Sequence, residues 1–183
     1  MRRMLVALFA VALTLTACGG GEPEPEPTPS ETEPTPSPTP EPELAPLTGE
    51  EVESTGILDR PVVAVKIDNA SPARPQAGLG AADVVFEELV EGGYTRFLAL
   101  YQSQAPETAG PVRSGRDVEA DLLPPYQPLF VISGAAEPTY AVLRGAGLKI
   151  REEGQPEDAF QRASDRKRPY NLFVDVELSL IHI

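Results

Sequence analysis

The sequence predicts an α+β or α/β domain, a mixed β-sheet with an antiparallel hairpin and packed helices, preceded by a disordered stalk. Three observations predict it. Short β-branched runs alternate with segments of helical character between residues 54 and 177, which interleaves strands with helices. Two apolar runs, residues 84–90 and 95–101, flank Glu91-Gly92-Gly93-Tyr94, a hairpin signature. Ahead of them, residues 22–46 alternate Glu-Pro with Thr-Pro or Ser-Pro and carry one large apolar side chain, Leu44, so no core can offset the entropy of folding.

The elements follow in chain order. Arg2 and Arg3 precede an apolar run over residues 4–15, broken only by Thr14. Twelve residues are too few to span a bilayer comfortably, and the pattern is that of a signal peptide over residues 1–17. Leu15-Thr16-Ala17-Cys18 resembles the lipobox of bacterial lipoproteins. That resemblance implies cleavage before Cys18 and a diacylglycerol, with palmitate among the acyl chains, on its thiol. More than one chain gives stable anchoring. The only cysteine is then consumed, leaving none for a disulfide, a metal or a nucleophile.

Residues 18–53 form the expected anchor and stalk. Proline at nearly every second position favours polyproline II, so the 25 residues from 22 to 46 reach roughly 75 Å at about 3.1 Å each. Residues 22–53 hold ten Glu and no Lys or Arg, whereas residues 54–177 hold 18 acidic and 13 basic groups. The formal charge of −13 therefore belongs mostly to the stalk and does not define a partner. An exported chain is not expected to bind nucleic acid.

Within residues 54–177, the run 61–67 reads as a buried strand entering a loop at Asp68-Asn69, and residues 71–78 are loop by their Pro and Gly content. Residues 114–123 fit a helix stopped by Pro124-Pro125. Residues 129–133 read as a strand and 139–143 as a short helix ended by Gly145. Between 162 and 175 the pattern gives a helix followed by a strand at 172–174. The last six residues, 178–183, resemble the translation of a transposase adapter end used in sequencing libraries. On that reading they are an artefact, His182 is foreign and the natural chain continues; the other reading is a genuine apolar C-terminal strand.

Several motifs in this order carry a family resemblance: Ile67-Asp-Asn69, Ala73-Arg-Pro-Gln-Ala-Gly-Leu79, Ala82-Asp-Val-Val-Phe-Glu87, Val90-Glu-Gly-Gly, Thr95-Arg-Phe97, Gly110-Pro-Val-Arg-Ser114 and Pro169-Tyr-Asn-Leu172. Together they resemble the YerB-like bacterial lipoproteins. Gly115 stands where an Ala is usual, and Tyr170 where a His is expected. The resemblance implies two consecutive domains of unknown function, of which this chain holds the first. It implies no catalytic residues.

The leading site candidate is the anion-binding set Arg113, Ser114 and Arg116. Ser114 with Asp117 three residues on resembles a capping box, whose free N–H groups and nearby guanidiniums suit a phosphate or carboxylate. The competing reading pairs these arginines with Asp117, Glu119 or Asp121. A second set is Asp68, Asn69, Arg74 and Gln76 at a strand end, where α/β folds tend to place ligands. Glu87 and Arg96 complete it: with Val90 opposite Thr95, Leu89 faces Arg96 and Glu87 lies diagonally across, which allows an ion pair that stabilises the hairpin or, on the other reading, meets a ligand. Glu88 follows Val84 and Phe86, which makes it a semi-buried carboxylate or a sign of an irregular strand. Arg166, Lys167 and Arg168 read as a solvated basic face.

The chain lacks G-x-S-x-G and H-E-x-x-H, and no metal or cofactor is expected. Carboxylate-based hydrolysis of wall glycans, drawing on Asp68, Glu87, Glu88 and Glu91, is one alternative, and a scaffold for another envelope protein is a second. The favoured reading is a binding or accessory module of the cell envelope, with the membrane and a cell-wall polymer or envelope protein as partners.

Overall fold

The computed structural model describes residues 42–52, 56, 59–155 and 159–181. The signal peptide, Cys18, most of the stalk and His182 lie outside them. The centre of the fold is β1 (Val63–Asp68), every residue of which is buried. It lies in a five-stranded sheet of order β2-β3-β1-β4-β5, where β2 is Val84–Leu89, β3 is Thr95–Tyr101, β4 is Leu129–Val131 and β5 is Lys149–Arg151. β1 pairs antiparallel with β3 and parallel with β4, and β4 runs parallel to β5. The sheet is thus mixed, as expected. Parallel β4 and β5 need a crossover, which α1's successor α2 (Glu137–Gly145) supplies; α1 itself is Glu119–Leu122. A second sheet pairs β6 (Phe160–Arg162) with β7 (Leu172–Val174), and α3 (Val176–Ile181) follows.

Because side chains alternate along a strand, β1 feeds two cores. Val63, Val65 and Ile67 face one, with Tyr101, Val112, Leu172 and Val174. Ala64 faces the other, with Leu98, Leu100, Leu123, Phe130 and Leu143. Each Val, Leu, Ile or Phe among them contributes about 1.5–3 kcal/mol by burial. Lys66 and Asp68 share the second face, so its apolar row turns ionic toward the C-terminal end of β1.

Residues 109–113 form a strap between the sheets. Arg113 N–H donates to Lys66 O and Asp68 N–H to Pro111 O on one side, while Val112 N–H donates to Leu172 O on the other. Ala77 and Gly110 also bridge. Glycine is required here twice: Gly78 (φ +80°) would press a Cβ to 2.8 Å from Thr108 O, and Gly110 (φ +147°) to 2.9 Å from Leu172 O.

Four expectations need correction. The helix expected from residue 114 is only α1, four residues long. Gly115 N–H is taken by Gly134 O and Arg116 N–H by the Glu119 carboxylate, so a distant carbonyl and a side chain three residues on replace the earlier helical turns. The helix expected from residue 162 does not form: residue 162 ends β6, which has its ladder partner in β7, and residues 163–171 are loop and turn. Arg166 is not simply a solvated charge: it donates to Ala73 O and Pro75 O and covers the Phe173 ring. Finally, the folded region begins before residue 54, with a Leu44–Glu51 bridge, a buried Ala45 and Leu47 packed on the second core. Residues 178–181 continue α3. Among the described residues, no helix is long and apolar enough to cross a membrane.

Candidate functional site

The hairpin register decides which charges meet. Val90 N–H donates to Tyr94 O, so Leu89 lies opposite Thr95 and Glu88 opposite Arg96. The expected pairing of Val90 with Thr95 is one residue out. The cause is a three-residue loop, Glu91–Gly93, closed by Gly92 and Gly93 in left-handed conformation. A slip of one residue exchanges faces. Glu88, not Glu87, therefore shares the second face with Lys66 and Arg96, on a regular strand, and the expected Glu87–Arg96 ion pair does not form.

Two ionic groups result, side by side. In the first, Lys66 Nζ lies 2.5 Å from Glu119 Oε1 and also pairs with Glu88 Oε2. Lys66 and Glu119 are completely buried and Glu88 nearly so. Burial raises the Glu88 pKa above the ordinary carboxylate value, against the pull of Lys66. Two acids here share one base.

The second group opens to solvent as a cleft of about 290 Å³ at the C-terminal end of β1. Arg113 Nε lies 2.5 Å from Asp68 Oδ2, at ion-pair distance though without hydrogen-bond alignment, and its guanidinium covers the Tyr170 ring, 5.5 Å from the centroid. Arg96, 8 % exposed, donates from Nη1 to Ser114 O at 2.8 Å. Among the described residues no carboxylate lies within ion-pair distance of Arg96. Desolvation lowers its pKa first, and the charges of Arg116 and Arg113 lower it further. Arg116 itself is spent on Glu91, through two hydrogen bonds of 2.8 Å, which hold the Glu91 carboxyl down at about 2. Ala70, Ser71, Pro72, Val90 and Tyr94 complete the lining.

Of the sequence-predicted residues, Asp68, Arg96 and Arg113 come together in this cleft. Ser114 offers only its carbonyl and caps no helix, since α1 starts five residues later. The arginines pair with Asp68 and Glu91 rather than with Asp117, Glu119 or Asp121. Asn69, Arg74, Gln76 and Glu87 form a separate knot. Asn69 donates to Thr95 Oγ1 (2.8 Å) and Glu87 (3.2 Å), and its own Oδ1 accepts from Arg74 and Gln76 at 3.0 Å. That knot is satisfied internally and braces the strand ends. Ser164 and Lys167 stand at S-x-x-K spacing but lie exposed in a turn, without a helix to bring hydroxyl and amine together. No group of three His, Cys, Asp or Glu able to hold a metal occurs among the described residues. Sequence reasoning missed Lys66 and Glu119. The available signal was a lysine inside an otherwise apolar β-branched run, which demands buried acids.

A family profile described as the N-terminal domain of a protein of unknown function (DUF3048) matches residues 47–180. The chain belongs to the DUF3048 family. It is similar to the Bacillus subtilis protein named "Putative lipoprotein YerB", with 40 % identity over 134 residues. Those residues are 73 % of this chain and 40 % of that protein, so the chain spans about two fifths of its relative's length. The crystal structure of YerB from Bacillus subtilis matches with a TM-score of 0.69 and 37 % identity, covering 75 % of this chain and 47 % of that one. All the cleft residues lie inside the DUF3048 match.

Proposed function

We propose that this DUF3048 protein is an extracytoplasmic lipoprotein, anchored through Cys18, whose folded domain binds an anionic group of the cell envelope in the cleft at the end of β1. The observation that carries the binding reading is Arg96: a nine-tenths buried guanidinium lining a cleft with no carboxylate at ion-pair distance among the described residues. A buried unpaired charge costs several kcal/mol, and an anionic ligand would offset that cost. Arg113, oriented by Asp68 and Tyr170, supplies a second guanidinium. Two facts support the anchor: the h-region ending at Cys18 and the lipoprotein name of the 40 % identical relative. Acid catalysis on glycans has less support, because both carboxylates of the cleft, Asp68 and Glu91, are matched to arginines, and Glu91 is held ionised.

Co-sedimentation of the full chain with isolated cell-wall sacculi tests the binding reading. Pelleting of the wild type that Arg96→Gln/Arg113→Gln abolishes, with circular dichroism unchanged, is the expected result. A folded wild type that stays in the supernatant removes the wall-anion reading. Incorporation of a palmitate analogue, lost in Cys18→Ala, tests the anchor.

A further inference from the structure

We infer that the ligand of this cleft is a peptide C-terminus: a free carboxylate on a small apolar residue, received by Arg96 and Arg113. The inference rests on the anion-binding reading above and specifies the ligand's class. Charge comes first. Arg113 and Arg116 each have a carboxylate partner, and Arg96 alone does not, so one positive charge remains to be matched. A monoanion fits that vacancy in charge; a phosphomonoester dianion would over-fill it, beside Asp68 and Glu91 that repel the excess.

Donor geometry comes second. Phosphate sites typically present backbone N–H groups, at a helix N-terminus or a nest of successive amides. Here the N–H groups of Asp68, Ala70, Val90, Arg113 and Tyr170 are taken by protein acceptors and Pro72 has none. The lining amides of Ser71, Glu91 and Tyr94 have no backbone acceptor among the described residues, but no two of them are successive, so they form no nest. What the cleft presents is the planar edges of guanidiniums, which match the two coplanar oxygens of a carboxylate.

The remaining lining suits what adjoins a peptide carboxylate. Ala70, Pro72 and Val90 contribute apolar lining for a methyl-sized side chain, and Tyr94 and Tyr170 line the same cleft. The Ser71 hydroxyl and Glu91 carboxylate at the mouth are acceptors for the preceding amide N–H. A volume of about 290 Å³ holds one or two small residues, at the lower end of the ~300–1,000 Å³ of small-molecule sites.

Calorimetric titration of the full chain with three probes tests this: acetyl-alanyl-alanine in both configurations, its C-terminal amide, and dimethyl phosphate. The expected result is binding of one configuration of the acid, at least tenfold weaker binding of the amide, and loss of binding in Arg96→Gln. Tyr170→Ala, which keeps both guanidiniums but removes the ring that Arg113 covers, is expected to weaken the acid several-fold while the protein stays folded. Binding of dimethyl phosphate without the acid overturns the peptide assignment and leaves the anion cleft standing. Equal binding of acid and amide, or binding that survives Arg96→Gln, overturns the assignment by showing recognition elsewhere. Silence from all three probes with a folded protein overturns both the peptide and the anion readings.

Discussion

The two ionic groups on the second face of the sheet are neighbours built from the same strands, yet their accounts are opposite. Lys66, Glu88 and Glu119 are closed from solvent, with two carboxylates on one ammonium. Asp68, Arg96 and Arg113 open into a cleft that holds two guanidiniums, only one of them, Arg113, at ion-pair distance from the carboxylate. A closed group with an excess acid can relieve itself by keeping a proton, and the raised pKa of Glu88 is that relief. A guanidinium has no comparable route near neutral pH, so a buried excess of arginine waits for an anion. On the proposed reading, the difference separates a charge cluster that holds the fold from one that takes a ligand.

Substitutions can break or sharpen this contrast. The largest effect is expected from Lys66→Met, which strands two buried carboxylates: a loss of about 3–5 kcal/mol in urea unfolding. Arg96→Gln should do the reverse. It removes a buried charge with no carboxylate partner among the described residues, so the unliganded fold should hold or gain stability, by up to several kcal/mol. Ligand affinity should be lost, read by calorimetry beside the unfolding curve. If both variants lose stability equally, the two clusters are one structural unit and the distinction falls.

Glu88→Gln isolates the proton. A folded-state pKa above the ordinary 4.5 means that stability is fully present below pH 4.5 and declines as pH rises through the folded value. The variant lacks this titration, so wild type should fall relative to it as pH climbs above 4.5. A pH-independent difference would show that Lys66 keeps Glu88 ionised throughout. The smallest effect belongs to Glu91→Gln at the exposed hairpin tip. Glu91 is held at about 2, so its contribution is present above 4.5 and lost as pH falls from 4.5 toward 2. Thermal melts of wild type and variant should therefore converge in acid and separate slightly at neutral pH.

Much of the scaffold was legible in the residues. Strand β3 begins and ends where its apolar run does, β7 occupies the three residues expected, and α2 stops at Gly145. Local periodicity and Gly punctuation sufficed there. Register was not legible, because it turned on how Gly92 and Gly93 close the loop, and a single residue moved Glu88 to the inner face. The helix at Ser114 was misread for a different reason: Gly134 claims the Gly115 amide from a distant part of the chain, and the Glu119 side chain, rather than a backbone carbonyl, claims that of Arg116. The site residues Asp68, Arg96 and Arg113 were named separately but not as one cleft, since they meet only through strand pairing and the strap.

That strap also sets when the cleft can exist. Asp68 and Arg96 are joined once β1 and β3 pair, but Arg113 is fixed by a segment that hydrogen-bonds Leu172 and Val174, and Tyr170 lies just before them. The cleft thus draws on chain from residue 68 to residue 170. During synthesis, its first arginine is made long before the wall that completes it. Until β7 is laid against the strap, a nascent chain carries the charges of the cleft without its shape.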